Sequence, residues 1–389
     1  MQRIKINAFT LIELLVVIAI IGILSALIVV GMSSATNSAR IAKSQVFANS
    51  LKNSLMDSLI SEWKFDGTAN DSWGSNNGLI VGAVEGSDCI SGKCLAFDGN
   101  DSVDYTGTIA NVQTISYWIK PNSINETVIN LGNSAYVDSN GYLSGTVPSS
   151  AITYVDGIVE ALGSDAVTNG NMETGNPPTG WSTYLTSSVA DERTGGAGQY
   201  SLNIIGDVQT WVSSIPGPVL TQGKLYRVSG WIRSIGGTGG FTIAGSGYVT
   251  IKSWSNSTSV WKKGTAHFIA PSSTPYRVLT LSQNSSSNAR YDDFSIKEIT
   301  NPITASAWHH VAIITNTPIN ISNMTIGKVG TTFFTGSIDD VRIYNSAMTT
   351  SQIEQNYFGG LNRLLVNNQI NDQEYKKRIA ELTSNYAKN

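Results

Sequence analysis

Hydrophobic positions divide the chain into an apolar start, an amphipathic continuation and a long region of short alternating runs. Residues 14–24 are uninterrupted apolar positions, and the run continues to Val30 with Ser25 as its one polar break. The 22 residues from Phe9 to Val30 would form a helix of roughly 33 Å, enough to cross a hydrocarbon core of about 30 Å. The pattern therefore predicts a membrane-spanning helix.

An amphipathic stretch follows this segment. Phe47, Leu51, Leu55 and Leu59 recur every four residues with polar residues between them, and the first proline is Pro121. This spacing places the apolar side chains on one helical face. We therefore expect one helix over residues 9–60. Its outer half packs either on its own head domain alone, or on the head at one end and on sister helices at the other.

Beyond residue 60 the periodicity changes to alternating aromatic and polar residues interrupted by glycine, asparagine and aspartate. Short strands and frequent turns are typical of a β-sandwich.

The 389-residue chain is too long for one ordinary domain. Charged residues make up only 14% and the net charge is −3 without a basic stripe, which argues against nucleic-acid binding. Cys89 and Cys94 predict a small-loop disulfide in an exported protein.

The N-terminal string AFTLIELLVVIAIIGIL resembles type IV prepilins and pseudopilins. The resemblance implies a leader over residues 1–8, cleavage between Ala8 and Phe9 by the prepilin peptidase, and methylation of the new Phe9 amine. Glu13 would pair with the N-terminal amine of a neighbouring subunit, because a carboxylate among apolar helices needs an opposite charge. The family usually has glycine where this chain has Ala8. A secretory signal or a plain anchor are the alternatives, but the apolar run is longer than a signal core.

The first β-rich region carries the strings WKFDG, LAFDGNDSVDY, ISYWIKP, WHHVAI and GSIDDVRIYNSAMTTSQI. On these strings it resembles concanavalin A-like, laminin-G-type sandwiches, and we assign residues 61–162 plus 301–358 to it. The family's glucanase members carry closely spaced catalytic carboxylates on one strand, and no such triplet occurs here, so we expect a ligand-binding or structural domain and no enzyme.

Residues 163–300 interrupt that pattern and resemble a jelly-roll carbohydrate-binding module, on the strings TNGNMETG, GKLYRVSGWIRS and YDDFSIKEI. Aromatic faces stack on sugar rings, although aromatic residues are more often core. Trp231 lies in an alternating strand and is expected in the core, whereas Trp211 and Trp254 lie among polar residues and are the candidate sugar contacts.

Modules of this type often hold a structural calcium. The residues at the matching ends of the insert are Glu173, Asp292 and Asp293, and carboxylate oxygens suit a hard cation. The alternative is that they are only turn and strand-end residues. No other cofactor is indicated.

The chain ends, over residues 359–389, in two short amphipathic runs around an asparagine-rich turn, with Asn371 as a possible helix N-cap and Glu374 three residues on. This tail resembles the short C-terminal (SHOCT-like) helical hairpins of bacterial proteins. It is either a cap on the sandwich or an oligomerisation element. The histidines give no catalytic pattern, since His309 and His310 are adjacent on a predicted strand and His267 lacks metal-ligating neighbours.

These patterns together predict a mainly β protein. A long N-terminal transmembrane helix precedes a concanavalin A-like sandwich, which is interrupted by a second jelly-roll sandwich and followed by a helical hairpin. The expected function is a minor or decorating pilin-like subunit, held first in the cytoplasmic membrane and then in an extracellular filament. Other pilin subunits, the prepilin peptidase and a surface carbohydrate or protein are the expected partners. A pseudopilin of a type II secretion or DNA-uptake system is one alternative, and a membrane-anchored carbohydrate-active enzyme is another.

Overall fold

The computed structural model describes residues 11–12, 14–22, 25 and 55–386, with gaps at 125, 133–134, 146–150, 177, 180, 182–185, 191–197, 199, 206–207, 213–218, 236–237, 245–249, 272–276 and 284–287. The described positions among residues 11–25 are helical. No helix within the described residues is long and apolar enough to cross a membrane, and most of the predicted 9–60 helix lies outside them. The predicted mainly β fold with C-terminal helices is confirmed.

The sandwich predicted over residues 61–162 plus 301–358 is called the host sandwich, because the second sandwich is inserted into it. It consists of two antiparallel sheets and a small two-stranded ribbon. Its first sheet has eight strands in the order β11-β10-β22-β6-β26-β4-β3, with β1 also paired to β26. The strands are β1 Leu59–Trp63, β3 Val84–Gly86, β4 Cys94–Asp98, β6 Thr108–Pro121, β10 Ala151–Val155, β11 Ile158–Val159, β22 His309–Ser322 and β26 Thr335–Tyr344.

The second host sheet has six strands in the order β2-β5-β23-β7-β8-β9, and β24 pairs with β25. These strands are β2 Leu79–Val81, β5 Ser102–Asp104, β7 Thr127–Gly132, β8 Ala135–Asp138, β9 Leu143–Gly145, β23 Thr325–Ile326, β24 Lys328–Val329 and β25 Thr332–Phe333.

The inserted sandwich consists of a six-stranded sheet, β13-β14-β21-β16-β19 with β12 paired to β21, and a four-stranded sheet, β15-β20-β17-β18. The strands are β12 Leu162–Asp165, β13 Thr186–Ala190, β14 Tyr200–Ile205, β15 Val208–Val212, β16 Leu225–Ile235, β17 Thr238–Ala244, β18 Thr250–Asn256, β19 Lys262–Ile269, β20 Arg277–Gln283 and β21 Asn288–Ile299.

Each sandwich has its own apolar core. In the host sandwich, the central strand β6 is apolar on both of its faces. Its residues Ile115, Tyr117 and Ile119 enter the host core, while Trp118 packs in a second cluster on the opposite face. Alternate residues of a strand point to opposite faces, so a strand that is apolar on both faces must be covered on both. The first host sheet is therefore a middle layer.

A helical hairpin covers the outer face of that sheet. Helix α1 spans Thr350–Val366 and begins with a capping box between Thr349 and Gln352. Helix α2 spans Asp372–Tyr386, and the Glu374 amide donates to Asn371 Oδ1 (2.8 Å), so the predicted N-cap is confirmed.

The hairpin packs on the host sandwich as a cap. It packs against Trp118 of β6 and against Trp308, which directly precedes β22. The buried residues of the hairpin in this cluster are Tyr357, Leu361, Leu364, Tyr375 and Leu382. The helical region begins earlier than the predicted residue 359.

The host sandwich starts at β1, which corrects the predicted helix boundary. Residues Met56–Ser58 form a 3-10 turn and β1 begins at Leu59, so Leu59 is a strand residue and not part of a helical face. The strand pairs with β26, and Glu62 accepts a hydrogen bond from Arg342 Nε (2.8 Å). Leu55 is buried beside Ile314, which places the end of the N-terminal segment on the outer face of the first sheet.

Candidate binding cleft

A cleft of about 440 Å³ opens on the six-stranded sheet of the inserted sandwich. Its lining is mixed aromatic, charged and amide, and the residues that carry the argument are Asp165, Asn169, Arg227, Trp231, Lys263, Asp293 and Lys297. Strand β16 supplies the central row, because Val228 and Ile232 point into the core and the alternate residues Arg227, Ser229 and Trp231 point into the cleft.

Strand register brings these rows together. On β19, Lys263 lies opposite Trp231 and His267 lies opposite Arg227. On β21, Lys297 lies opposite Arg227. Directly opposite residues of antiparallel strands have Cβ atoms about 4.5–5.5 Å apart. The sheet therefore presents an indole, a guanidinium and two ammonium groups on one surface.

A β-bulge turns Asp293 into the cleft. The pairing of β16 with β21 shifts between Ser229 and Trp231, and Asp293 takes a positive φ of 49°. The Phe294 amide then donates to the Gly170 carbonyl (2.8 Å). Bulges of this kind redirect side chains. The extra residue places a carboxylate at the mouth of the cleft beside the loop that carries Asn169.

Contacts with the host sandwich hold Arg227, one of the residues that line the cleft. Glu160 accepts hydrogen bonds from Arg227 (2.5 Å) and from His267 Nε2 (2.9 Å). Tyr142 stacks on the His267 ring at a centroid distance of 3.6 Å. Burial acts to raise the pKa of Glu160, but His267 and Arg227 outweigh it and hold that pKa below its ordinary value. Glu160 is thus ionised and forms an ion pair with Arg227.

The other charged side chains of the cleft, Asp165, Lys263 and Lys297, differ in their contacts. Asp165 Oδ1 accepts the amides of Val167 (3.1 Å) and Ile296 (3.0 Å), so this carboxylate is fixed by the backbone. Lys263 and Lys297 form no ion pair with any described residue. Together with the half-buried Trp231, the cleft offers a stacking face and hydrogen-bond donors and acceptors, the combination by which a polyhydroxylated ring is held.

The sequence analysis placed Trp231 in the core and did not identify Arg227 and Lys263 as cleft residues. The expectation that Trp231 lies in the core is wrong, because it is half-buried and lines the cleft. A signal was present: Arg227, Ser229, Trp231 and Arg233 occupy alternate positions of β16. Period-two alternation assigns Trp231 to that polar face.

The structure does not bring the two predicted sugar contacts together. Trp211 lies on β15 and Trp254 on β18, which are the two edge strands of the four-stranded sheet. Three strand spacings separate them, roughly 14 Å, and the cleft lies on the other sheet. Their side chains lie outside the described part of the chain, so their role stays a prediction.

The predicted calcium ligands have other contacts. Glu173 Oε1 accepts the Tyr200 amide (2.9 Å), and the fully buried Asp292 accepts the Asp293 amide (2.7 Å). Among the described residues, no group of three or more histidine, cysteine, aspartate or glutamate side chains is placed to hold a metal ion. The calcium site stays a prediction.

The remaining predicted sites divide between confirmed and untested. Cys89 and Cys94 form a disulfide with Cα atoms 5.4 Å apart, as predicted. Ala8, Phe9 and Glu13 lie outside the described residues, and their roles depend on the sequence alone.

Comparison with known families addresses the N-terminus. The family model of the prokaryotic N-terminal methylation motif matches residues 3–29. The chain carries a prepilin-type methylation motif. The match includes Ala8, Phe9 and Glu13 and leaves the two sandwiches unassigned. No curated protein matches the chain.

Several solved structures are similar to part of the chain. A family 16 carbohydrate-binding module-2 is 17% identical (TM-score 0.29; 34% of this chain and 99% of that chain). A family 61 module in complex with β-1,4-galactotriose is 18% identical (TM-score 0.28; 34% and 98%). The xylan-binding domain CBM22-1 of Paenibacillus barcinonensis Xyn10C is 16% identical (TM-score 0.27; 36% and 97%). Similarity at this level carries no argument about the ligand.

Proposed function

We propose that the protein is a type IV pilin-like subunit, minor or decorating, whose head binds a carbohydrate in the inserted sandwich. The observation that carries the first half is the methylation motif over residues 3–29. The motif comes with a polar leader, a cleavable position between Ala8 and Phe9, and a single carboxylate, Glu13, within the apolar run. An ionisable group there is costly unless it is paired. The Phe9 amine of a neighbouring subunit provides the pairing charge.

The proposed course runs from membrane to surface. The apolar segment holds the precursor in the cytoplasmic membrane, the prepilin peptidase removes residues 1–8, and the mature chain assembles through its N-terminal helix. The disulfide at Cys89 and Cys94 fits a head that lies on the oxidising side of the membrane.

The cleft supports the second half of the proposal. Trp231 provides an accessible indole, and donors and acceptors surround it on β16, β19 and β21. This arrangement is best suited to binding a ligand by stacking and hydrogen bonds without catalysing a reaction on it. The protein is accordingly proposed to be a binding subunit and not an enzyme.

Mass spectrometry of the N-terminal peptide tests assembly, with sheared extracellular filaments compared against the membrane fraction. We expect a methylated peptide that starts at Phe9 in the filaments. A methylated Phe9 confined to the membrane would favour a pseudopilin. An intact Met1 start in the membrane fraction would contradict the pilin-like proposal.

Glycan binding is tested separately with the full chain in detergent micelles. The probes are an oligosaccharide array that covers neutral sugars, amino sugars and uronic acids. Trp231→Ala should abolish retention, whereas Trp73→Ala should not, because Trp73 is a 39% exposed tryptophan on the host sandwich. Equal binding by both variants would contradict the cleft assignment, and turnover of a probe would contradict the proposal that the head only binds.

A further inference from the structure

Lys120 and Asp88 meet on the outer face of the first host sheet, where Lys120 Nζ contacts Asp88 Oδ2. Their side chains are 27% and 40% exposed. Asp88 Oδ1, in contrast, is buried and has no hydrogen-bond partner. A charged carboxylate oxygen sealed from water without a donor is unfavourable. A neutral carbonyl oxygen would suit that position better.

Asp88 and Lys120 are each held in place by the segment of backbone that carries them. The Asp88 carbonyl accepts from Trp308 Nε1 (3.0 Å), and the next residue, Cys89, is tied to Cys94. Lys120 lies on β6, between β22 and β26. The two side chains are therefore presented to each other by ordered backbone, which is the condition under which an intramolecular reaction gains its advantage.

A buried acid lies on the same face of the sheet. Asp339 on β26 is opposite Trp118 and fully buried, so it is the diagonal neighbour of Lys120, within reach of a long side chain. Asp339 Oδ2 accepts the Ile90 amide (3.0 Å), and Oδ1 has no partner. Burial, together with the charge of Asp340, raises the pKa of Asp339 to about 8. Asp339 thus carries a proton at neutral pH.

We propose that Lys120 and Asp88 condense into an intramolecular amide that joins β6 to the disulfide loop. The ammonium proton passes to the Asp88 carboxylate, and the neutral Nζ attacks Cγ to form the Nζ–Cγ bond. Asp339 protonates the departing hydroxyl, the Cγ–O bond breaks and water leaves. The Asp339 carboxylate then takes the remaining excess proton from Nζ, so the acid is regenerated and no other reactant is needed.

The geometry favours formation of the amide. Condensation of a free amine and acid in water is slow and unfavourable, but well-oriented intramolecular groups react as if one of them were present at roughly 10⁵–10⁸ M. The product also replaces a carboxylate whose buried Oδ1 has no hydrogen-bond donor with a neutral carbonyl. The amide and the adjacent disulfide would then be two covalent cross-links beside the cluster on the outer face of the first host sheet, which contains Trp118 and Trp308.

Peptide mapping of the full-length chain tests the bond. The chain is purified in detergent, denatured, reduced and alkylated before digestion with trypsin, because the disulfide also joins the two segments. Trypsin releases residues 65–93, which contain Asp88, and residues 94–193, which contain Lys120 followed by Pro121. We expect these peptides to remain joined after reduction, at one water less than their summed mass. Two separate peptides would overturn the proposal.

Variants separate the bond from an ordinary ion pair. Lys120→Arg keeps the charge and should give two separate peptides. Asp88→Asn should give the same joined product as the wild type by loss of ammonia. The Lys93–Glu85 pair (2.7 Å) is the matched control, and trypsin should cut after Lys93. Asp339→Asn should slow formation of the bond, and a chain with this change that joins as fast as the wild type would overturn the role of Asp339.

Discussion

Gly360 of α1 lies directly against the indole of Trp118, so closely that a Cβ atom at Gly360 would overlap Cζ2 of that ring. The contact joins the helical hairpin to the central strand of the first host sheet. Trp118 also stacks on Tyr357, one helical turn earlier (5.9 Å between centroids). The close approach of helix and sheet depends on the missing side chain.

Gly360→Ala should therefore destabilise the protein, although alanine favours helix by about 1 kcal/mol. Overpacking of a filled site costs about 1–3 kcal/mol, and the Trp118 side chain has buried neighbours on all sides. Denaturant unfolding of the full chain in detergent measures the difference. Gly359→Ala, at the half-buried preceding position, is the control and should be neutral or stabilising. A stabilising Gly360→Ala would show that the hairpin does not approach Trp118 this closely.

His310 should make the protein sensitive to acid. It is 1% exposed, its Nε2 lies 2.9 Å from Ser116 Oγ, and burial lowers its pKa to about 4. Unfolded histidine has a pKa of about 6.5. Between these values the unfolded chain binds a proton that the folded chain does not, so stability falls as pH falls from about 6.5 to 4, by about 3 kcal/mol in total.

The measurement is the difference between the wild type and His310→Gln, because Asp339 acts in the opposite sense. With a folded pKa of about 8, Asp339 binds a proton in the folded chain, and its contribution is lost as pH rises through that value. In thermal unfolding from pH 4 to 7, the stability of the wild type minus that of His310→Gln should rise with pH up to about 6.5. Parallel curves would contradict a buried neutral His310.

Arg378 should hold helix α2 on the sandwich. Its Nε donates to Glu374 (2.8 Å) and its NH1 donates to the Trp308 carbonyl (2.7 Å). Arg378→Met should leave that buried carbonyl without a donor, at about 1–3 kcal/mol. Hydrogen exchange of residues 372–386 should become faster. Lys377→Met is the control, since its ion-pair distances are 3.9 Å and its side chain is 64% exposed. Equal exchange in both variants would mean that α2 is held by apolar contacts alone.

Glu160 should set the orientation of the inserted sandwich. It is 11% exposed and joins a host-side loop to Arg227 and His267. Glu160→Gln weakens both contacts, so the two sandwiches should unfold in better separated calorimetric transitions. Glu298→Gln removes the exposed pair with Lys224 (3.2 Å) and should leave the transitions unchanged. Unchanged transitions in Glu160→Gln would assign the junction to the apolar contacts of Tyr142, Leu225 and Ile299.

Glu13→Ala should impair filament incorporation and leave the head folded, because the carboxylate is proposed to pair with the Phe9 amine of a neighbouring subunit. The amount of subunit in sheared filaments, relative to the membrane fraction, measures the effect. The intact Cys89–Cys94 disulfide reports on the head. Normal incorporation of the variant would contradict the pairing.

The fold class could be predicted from sequence because its signals are local. Alternation marks β6 and β22, and Asn371 marks the start of α2. The cleft could not be predicted as a unit. Trp231, Lys263 and Asp293 lie on three strands, and a β-bulge on β21 decides where Asp293 points. The contact of Glu160 with His267 spans two sandwiches. Such positions depend on register and docking, which no local pattern encodes.

The pairing of β1 with β26 has a mechanical consequence. Under the proposed function, a subunit anchored by its N-terminal segment and pulled at a ligand on the inserted sandwich would carry the load across the first host sheet. The tension passes from β1 through β26, β6 and β22 to β10, sideways through successive hydrogen-bond ladders. Only four residue pairs join β1 to β26, so this ladder, with the Glu62–Arg342 ion pair, sets the force at which the head would peel from its anchor.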